Sequence, residues 1–404
     1  MKVPFILVAV LQTVLTFSST EALANDEKEP VNSSYNLKTV ERVDQLVKRN
    51  FYAPAKLTRW SQTMSELREK ALAAKDKRTL SLAINEALST LKSSHCQYLT
   101  TNDEAFYFLN SLFRTKNPAS KPLPLVGIVT GGYFPPDKVR YILSGSPAAK
   151  AGIEIGDRII SVNGTPYKDF SDLLKASPLA IAFERDGKKN EVVVIPKIDE
   201  IYPFYVKAMR ASVKTYNRGK LKLGYVHVFA GGPINHEELD DILTSMEELD
   251  GLVLDLRDGY GASDLSDLDP FFRPKAAYPD LSAINSVGIE IKNRMVFDKP
   301  LVALINRGTR SGKELLAFGL KRSKRALLVG ENTAGYLLAG KLFPIDKDSA
   351  LYLAVSDVKL DGEKLEGLGI APDLPVLNEK ADQTGHDMQL KAALDALEKQ
   401  IQSR

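Results

Sequence analysis

The spacing of apolar and polar residues divides the chain into three parts that predict different structures. From about Tyr35 to Leu99, apolar residues recur at steps of three and four, as in VERVDQLVKRNFY, which predicts amphipathic helices. The last of these helices is predicted to end at Ser93-Ser94-His95, with Cys96 to Thr100 extended. Asn102 to Pro124 contains several prolines and is interpreted as a connector.

The second part, Leu125 to about Pro196, contains the turn signals of a small β-rich domain. In the phrase GSPAAKAGIEIGDRIISVNG, Pro147 and Gly152 bound a short helix, and Asn163-Gly164 predicts a hairpin turn. A generic β-rich domain would satisfy these signals, but their order resembles that of PDZ domains of the bacterial protease type.

The PDZ resemblance implies a peptide-binding site at the start of this part. In such a domain, the backbone N–H groups at Val126, Gly127 and Ile128 would bind the terminal carboxylate of a peptide that adds a strand to the sheet edge. Polypeptides with accessible carboxyl termini are therefore the expected partners.

The third part, from about Ile201 to Leu377, alternates apolar runs of strand length with helical patterns, which predicts a sheet covered by helices. Helices are predicted to begin near Asn235 and Ser311, and the tail ends in the helical pattern MQLKAALDALEKQI. Asp258 to Pro279 is a long loop rich in Gly, Pro and Asp, and loops of this length are usually functional or disordered. The predicted strands are Gly224 to Phe229, Gly251 to Leu256, Leu301 to Asn306, Arg325 to Val329 and Ala350 to Asp357.

The candidate nucleophile lies at the turn between one of these strands and its helix. After the apolar run Leu301 to Asn306, the chain turns at Gly308 and enters a helix at Ser311. The unpaired N–H groups and the positive dipole end of that helix would stabilise an oxyanion formed beside Ser311. The same residues, Ser311-x-x-Glu314, also fit a capping box, which needs no chemistry.

Composition restricts the functional classes. The chain has 404 residues, 44% hydrophobic and 26% charged, with a formal net charge of +3, as expected for a soluble protein of two or three compact units. This charge balance gives no sign of nucleic-acid binding. The cluster Lys321 to Arg325 is interpreted as the solvated end of a helix.

Met1 to Ala24 combines Lys2, an apolar run and Ala22-Leu23-Ala24, which predicts a cleavable secretory signal; the alternative is a membrane anchor. No later segment is apolar enough to span a bilayer. Cys96 is the single cysteine, so no internal disulfide can form and cysteine-based metal-site spacings are absent. We therefore expect export to a bacterial periplasm, without stable membrane insertion, and no metal or cofactor.

A serine nucleophile needs a base, and the chain has four histidines. His227 lies in a predicted strand and fits a satisfied core residue, while His236 lies in a polar helix start and His386 in the tail. His95 directly follows Ser94 at the end of a predicted helix and could project into a cleft; the alternative is a surface histidine stabilised by the helix dipole.

Four phrases together make a specific family resemblance. They are DLRDGYGA from Asp255, NRGTRSGKE from Asn306, VGENTAG from Val329 and LEGLGIAPD from Leu365. Their order and spacing resemble the carboxyl-terminal processing proteases, which also carry a PDZ domain, and the likeness covers roughly Leu82 to Val376. It implies an α/β (α+β) fold with a ClpP/crotonase-like catalytic core, an inserted PDZ-like domain and an N-terminal helical unit.

The processing-protease branch of this family uses a lysine as base, at a position that Tyr336 occupies here. Lys313 cannot replace it easily, because residues two apart on a helix point in different directions. Lys341 lies five residues too late and is kept as a reserve base.

The other branch resembles the tricorn protease core, with a Ser-His pair, a nucleophilic serine and a glutamate. Matched residue by residue, these are Ser94 and His95, Ser311, and Glu366. The resemblance implies that His95 is the general base and that Ser94 and Glu366 orient its imidazole.

For the oxyanion hole, the resemblance implies the backbone N–H groups of Gly312 and Gly261. Two residues near Gly261 depart from the family pattern. Gly259 stands where asparagine is common, and Ala262 where a second glycine is common.

The sequence therefore predicts a signal peptide at 1–24, a helical domain at 25–115, a PDZ-like domain at 116–198 and a serine endopeptidase core at 199–404. The main alternative is a catalytically inactive relative that only binds peptide termini. A nucleotide hydrolase is disfavoured, because Leu342 follows Gly340-Lys341 where a phosphate-binding loop needs a hydroxyl residue. Assembly into a homo-oligomer is left open.

Overall fold

The computed structural model describes residues 32–246, 248–262, 265–272, 282–284, 290–292, 296–377 and 387–404. The signal sequence predicted at Met1 to Ala24 and the tail histidine, His386, lie outside these residues. Within the described ranges, every helix is too short or too polar to cross a bilayer.

Helices and strands alternate along most of the described chain. The helices are α1 (Ser33–Asn50), α2 (Trp60–Ala73), α3 (Lys77–Ser89), α4 (Glu104–Leu112), α5 (Pro147–Lys150), α6 (Ile201–Ala211), α7 (Pro233–Ser245), α8 (Gly312–Arg322) and α9 (Met388–Gln402). Short 3₁₀ helices occupy Pro54–Arg59, Pro118–Ser120, Phe170–Leu173 and Leu265–Phe271.

The strands up to the end of the β-rich middle part are β1 (Gln97–Thr100), β2 (Leu123–Leu125), β3 (Ile128–Thr130), β4 (Val139–Ile142), β5 (Arg158–Val162), β6 (Thr165–Pro166), β7 (Leu179–Arg185), β8 (Lys188–Val194) and β9 (Lys197–Asp199). The later strands are β10 (Lys214–Arg218), β11 (Leu221–His227), β12 (Gly251–Asp255), β13 (Ser282–Ile284), β14 (Glu290–Lys292), β15 (Leu301–Ile305), β16 (Leu327–Gly330), β17 (Leu338–Pro344), β18 (Ser349–Asp357) and β19 (Leu374–Pro375).

The core of the third part is a six-stranded sheet in the order β10-β11-β12-β15-β16-β19, parallel except for the β10–β11 pair. Its central strands β12 and β15 are apolar and buried on both faces because helices cover both. In β12, Leu252 and Leu254 pack with α7 and α8, whereas Val253 between them packs with Leu394 and Leu397 of α9. The sheet places the carboxyl ends of β12 and β15 side by side.

The PDZ-like part contains the four-stranded sheet β6-β5-β7-β8 and the pairs β3-β4 and β2-β9. The predicted hairpin turn at Asn163-Gly164 joins β5 and β6, and both residues have the positive φ that a tight turn of this kind needs. The predicted short helix after Pro147 is α5.

The leading helices are fixed to the rest of the molecule by β1, which pairs antiparallel with β18 in a three-stranded sheet. Gln97 pairs with Tyr352, so the residues just before β1 are brought to the third part of the chain. The buried side chains of α1, α2 and α3 continue this contact into Leu351 and Leu353 of β18.

Two predictions about helices were wrong. Helix α3 ends at Ser89, not at Ser93-Ser94-His95, because the chain turns through Thr90 to Lys92, whose φ is +46°. Residues 102–124 are not only a connector: they contain α4, whose EAFYFLNSL sequence is buried on most sides and lacks the polar face that marks a surface helix. The domain boundaries drawn from the sequence remain predictions.

Candidate active site

Ser311 lies at a strained turn between β15 and α8. Its backbone has φ 54° and ψ −126°, a combination that residues with a side chain rarely adopt. The turn is held by Asn306, whose side-chain oxygen accepts hydrogen bonds from Gly308 N–H (2.9 Å) and Thr309 N–H (3.1 Å). This arrangement leaves the Ser311 hydroxyl at the edge of the sheet, ahead of the helix.

The Ser311 hydroxyl lies beside the imidazole of His95. The distance from His95 Nε2 to Ser311 Oγ is 3.2 Å, across 216 positions of sequence. His95 also has a positive φ, of 57°. The pairing of β1 with β18 produces this proximity, because it holds the loop before Gln97 against the third part of the chain.

A hydrogen-bonded chain continues behind the imidazole. Ser94 Oγ lies 2.7 Å from His95 Nδ1 and donates to Glu366 Oε2 at 3.0 Å. Because the Ser94 hydroxyl donates to the carboxylate, it accepts from His95 Nδ1–H, which leaves Nε2 without a proton and facing Ser311. Glu366 is oriented by Ser94 N–H (2.8 Å) and Leu337 N–H (2.9 Å).

The surroundings favour the neutral imidazole. Burial, together with the nearby Arg310 guanidinium, lowers the pKa of His95 from its usual 6.5 to about 4. At neutral pH the ring is therefore uncharged and able to accept a proton.

Glu314 connects Ser311 to the VGENTAG phrase, which begins at Val329. Its carboxylate accepts from Ser311 N–H at 2.9 Å, which is one half of the predicted capping box. It also accepts from the Thr333 hydroxyl (2.5 Å), Gly335 N–H (2.7 Å) and Tyr336 N–H (2.8 Å). Although burial raises the pKa of Glu314, these four donors favour its charged form.

The two glycines predicted to form an oxyanion hole lie next to each other. Gly312 is the first residue of α8, where helix geometry leaves N–H groups unpaired. A Cβ placed on Gly261 would lie 2.6 Å from Gly312 N and 2.3 Å from Arg310 O, so only glycine fits there. Neither N–H appears as a donor among the hydrogen bonds of the described residues.

The loop that carries Gly261 is fixed to the turn that carries Ser311. Arg310 Nε donates to Gly259 O at 2.9 Å, and the Arg310 guanidinium lies 4.6 Å from the ring centroid of Tyr260. Gly259 has φ +76°, and a Cβ there would lie 1.9 Å from Phe229 O. The departure from asparagine at this position thus has a steric reason.

The structure does not bring Lys341 to Ser311. Lys341 is exposed on β17, with Nζ 5.4 Å from the ring centroid of Phe343. Tyr336, at the family's lysine position, is 45% exposed. His227 is bound through Nε2 to Arg257 O at 2.8 Å, and His236 through Nδ1 to Asp267 at 3.1 Å, both outside the Ser311 group.

Residues 126–128, predicted to bind a terminal carboxylate, line a cavity that is nearly closed. Val126 and Ile128 are 2% and 1% exposed, and Gly127, at φ +84°, lies so close to Ser146 that a Cβ would be 2.3 Å from its side chain. The cavity beside the loop has a volume of about 10 Å³, which is the space of one water molecule. Glu104 of α4 and residues of α6, among others, close it.

Sequence reasoning missed Arg310 and did not assign Glu314 a role beyond capping. Both lie in the NRGTRSGKE phrase, directly beside the candidate nucleophile, and that position was the available signal. Their partners, at positions 259 and 333 to 336, come from other segments and are not visible in a local pattern.

Comparison with known proteins gives two domain matches. Residues 222–376 match the family described as Peptidase family S41, and residues 138–178 match the PDZ domain. The carboxyl-terminal-processing protease of Synechocystis sp. is 26% identical over 274 residues, covering 63% of this chain and 63% of that protein. The carboxy-terminal processing protease CtpA of Bacillus subtilis is 28% identical over 253 residues, covering 57% and 51%.

Two solved structures share the fold. The photosystem II D1 C-terminal processing protease superposes with a TM-score of 0.50 at 24% identity, over 87% of this chain and 95% of that one. The tricorn protease superposes with a TM-score of 0.54 at 16% identity, over 91% and 37%. The chain spans about half to two thirds of the length of the curated relatives it matches. From these matches, residues 222–376 are similar to Peptidase family S41 and residues 138–178 to PDZ domains, in a chain with the fold of known processing proteases.

Proposed function

We propose that this protein is a serine endopeptidase in which Ser311 is the nucleophile and His95 the general base. The single observation that carries the proposal is the hydrogen-bonded series of side chains Ser311–His95–Ser94–Glu366. Each neighbouring pair in it lies within 3.2 Å. A capping role for Ser311 would not need a neutral imidazole at its hydroxyl. The strained backbone at Ser311 also supports a catalytic role, since such strain clusters at catalytic turns.

In the first step, His95 Nε2 accepts the Ser311 hydroxyl proton while Oγ attacks the carbonyl carbon of the scissile peptide bond. The imidazolium that forms is stabilised through Nδ1–H by Ser94 and, beyond it, by the Glu366 carboxylate. His95 then donates the proton to the leaving amine, which gives an acyl-enzyme on Ser311. A water molecule, deprotonated by His95, releases the acyl group and restores the serine.

The negative charge of the tetrahedral intermediate would be bound by the N–H groups of Gly312 and Gly261. Each has no competing acceptor among the described residues, and removal of one such donor typically lowers kcat by about 10²–10³. The positive end of the α8 dipole acts on the same charge.

Polypeptides with a free carboxyl terminus are the proposed substrates, with the PDZ domain binding that terminus at Val126, Gly127 and Ile128. The curated relatives are named for carboxyl-terminal processing, which supports this class. Because the cavity beside this loop holds about one water, binding requires the contacts with α4 and α6 to open. Export to the periplasm and assembly into a homo-oligomer remain predictions from the sequence.

The test uses wild-type protein and Ser311→Ala with a fluorophosphonate probe and an unfolded protein substrate. We expect the probe to label the wild type at Ser311 alone, and the alanine variant to lose cleavage by about 10⁴-fold or more. Both proteins should melt at similar temperatures, because the substitution removes one hydroxyl at a half-buried position.

The competing function is peptide binding without catalysis. It predicts no labelling of the wild type and equal, background cleavage by both proteins. That pair of results would overturn the peptidase proposal and leave the PDZ domain as the functional part.

A further inference from the structure

Lys313 is a buried cation with no role in the proton path described above. It follows Ser311 by two residues, so its side chain leaves α8 on a different side, and it is 1% exposed. Its ammonium lies 3.2 Å from Val228 O and 3.4 Å from Arg257 O.

Those two carbonyls follow the ends of neighbouring parallel strands. Val228 comes directly after β11, and Arg257 is two residues after β12. The segment from Asp258 to Gly261, which carries one proposed oxyanion donor, begins at the next residue. A cation bound to both carbonyls therefore fixes the backbone where this segment begins.

Two residues close to Lys313 in sequence bind the backbone at this segment and just before it. Thr309 Oγ1 donates to Leu256 O at 2.9 Å, and Arg310 Nε donates to Gly259 O at 2.9 Å. The side chains of Thr309, Arg310 and Lys313 thus bind four backbone carbonyls, one directly after β11 and three between Leu256 and Gly259.

We propose that Lys313 is a positioning residue: its ammonium sets the distance between the Ser311 turn and the Asp258–Gly261 loop, and so the spacing of the two oxyanion donors. This inference rests on the proposed peptidase function. It adds a residue that touches neither substrate nor the reacting atoms but acts through the backbone at Gly261.

A contribution to folding stability does not explain why position 313 is a lysine. Burial of a charge is costly, and an apolar side chain of similar volume often serves packing as well or better. Burial lowers the pKa of Lys313 from its usual 10.5 to about 7, so part of its charge is lost near neutral pH. The charged and titratable groups that act on it are Asp255, Asp258, Arg140, Arg310 and His227.

The variant Lys313→Met keeps the length of the side chain and removes its donors. We expect kcat to fall at least tenfold, with KM within about twofold and a melting temperature that is unchanged or higher. The matched control is Lys321→Met on the same helix, where the ammonium binds Ala371 O and Asp373 away from the site. That control should retain full kcat.

The pH profile separates positioning from packing. In the wild type, kcat should decline as pH rises through about 7, because the ammonium loses its proton there. Lys313→Arg keeps a charged donor at all accessible pH values, so it should recover part of the activity and lack this alkaline limb. An unchanged kcat in Lys313→Met would overturn the proposal. The proposal would also be overturned if this variant lost kcat, melted at a lower temperature and kept the alkaline decline of kcat seen in the wild type.

A measurement that needs no catalysis keeps this inference separate from the peptidase proposal. Amide hydrogen exchange in the peptide that contains Asp258 to Gly261 should be faster in Lys313→Met than in the wild type or in Lys321→Met. If the wild type proves inactive but exchange rises as expected, the peptidase proposal fails and the positioning role stands. Equal exchange in all three proteins refutes the positioning role.

Discussion

The Ser311 site and the PDZ groove differ in how ready they are for a ligand. At Ser311, the hydroxyl, the imidazole and the carboxylate behind it already form a hydrogen-bonded chain. At Val126 to Ile128, the binding loop is buried and the adjoining cavity holds about one water. The groups proposed for catalysis are thus assembled in advance, whereas the proposed recognition of a peptide terminus would require neighbouring helices to move.

This difference follows from what holds each region. The catalytic groups are fixed by charged and backbone hydrogen bonds from β1, α8 and the Glu366 turn, none of which a substrate needs to displace. The groove is closed by apolar packing, such as Tyr107 of α4 against Phe170 at 5.8 Å between ring centroids. Side-chain packing of this kind can be broken and re-formed at moderate cost.

The largest expected effect tests the assembled site. His95→Ala should lower kcat/KM by about 10⁴-fold, because it removes the imidazole nitrogen that lies 3.2 Å from the Ser311 hydroxyl. Lys341→Ala is the matched control, and since its ammonium lies over Phe343 on exposed β17, activity should remain within about twofold. Steady-state hydrolysis of one peptide by both variants is the measurement.

The reverse outcome, with His95→Ala active and Lys341→Ala inactive, would remove His95 as base. It would also mean that β17 rearranges during catalysis, so the site would not be assembled in advance. The contrast with the PDZ groove would then disappear.

Sequence patterns predicted the strands of the central sheet well. Leu301 to Asn306 and Gly251 to Leu256 are continuous apolar runs, as expected for parallel strands buried on both faces, and the structure has β15 and β12 there. Helix α4 was missed for a related reason: it too is apolar on most sides, and without a polar face it gives no helical period.

The candidate active site could not be predicted from local sequence patterns. The proximity of His95 to Ser311 depends on β1 pairing with β18, a contact between segments about 250 residues apart, and only the family resemblance grouped those residues. Helical geometry disfavoured Lys313 as a base, which stays a prediction, and the burial of its side chain beside two strand ends could not be read from its position. The catalytic roles themselves stay predictions until the variants are measured.

A smaller effect is expected when the closed groove is altered. Glu104 is the acidic residue among those that line the cavity beside Val126 to Ile128, and it accepts a hydrogen bond from Tyr260 OH at 2.9 Å. Burial raises the pKa of this carboxyl, and in its charged form it opposes an incoming terminal carboxylate. Glu104→Gln should therefore strengthen binding of a peptide with a free carboxyl terminus by about three- to tenfold, measured by titration calorimetry.

The same peptide with an amidated terminus should bind wild type and Glu104→Gln equally, because it lacks the repelled charge. Glu86→Gln, a charge removal at an exposed position of α3, controls for net charge and should change neither affinity. Unchanged affinity of the free-acid peptide for Glu104→Gln would show that its terminus does not reach this cavity.

The smallest effect concerns the acid limit of the assembled site. With the pKa of His95 lowered to about 4, kcat/KM should not fall as pH is lowered from 7 to about 5.5, whereas with an ordinary histidine it would fall about tenfold. Arg310→Met removes the nearby guanidinium and should move the acid limb to higher pH. Arg307→Met, which removes a guanidinium stacked on Tyr133, should leave it in place.

Stability should change with pH in the same direction. This imidazole is protonated near pH 6.5 in the unfolded chain but only near pH 4 in the folded chain. The free energy of unfolding should therefore fall as pH decreases between these values and then level off. In His95→Gln this component of the pH dependence should be absent from chemical denaturation curves. If kcat/KM instead fell with a midpoint near pH 6.5, and the free energy of unfolding lacked this pH dependence, the imidazole would lie in solvent. That result would contradict an assembled site.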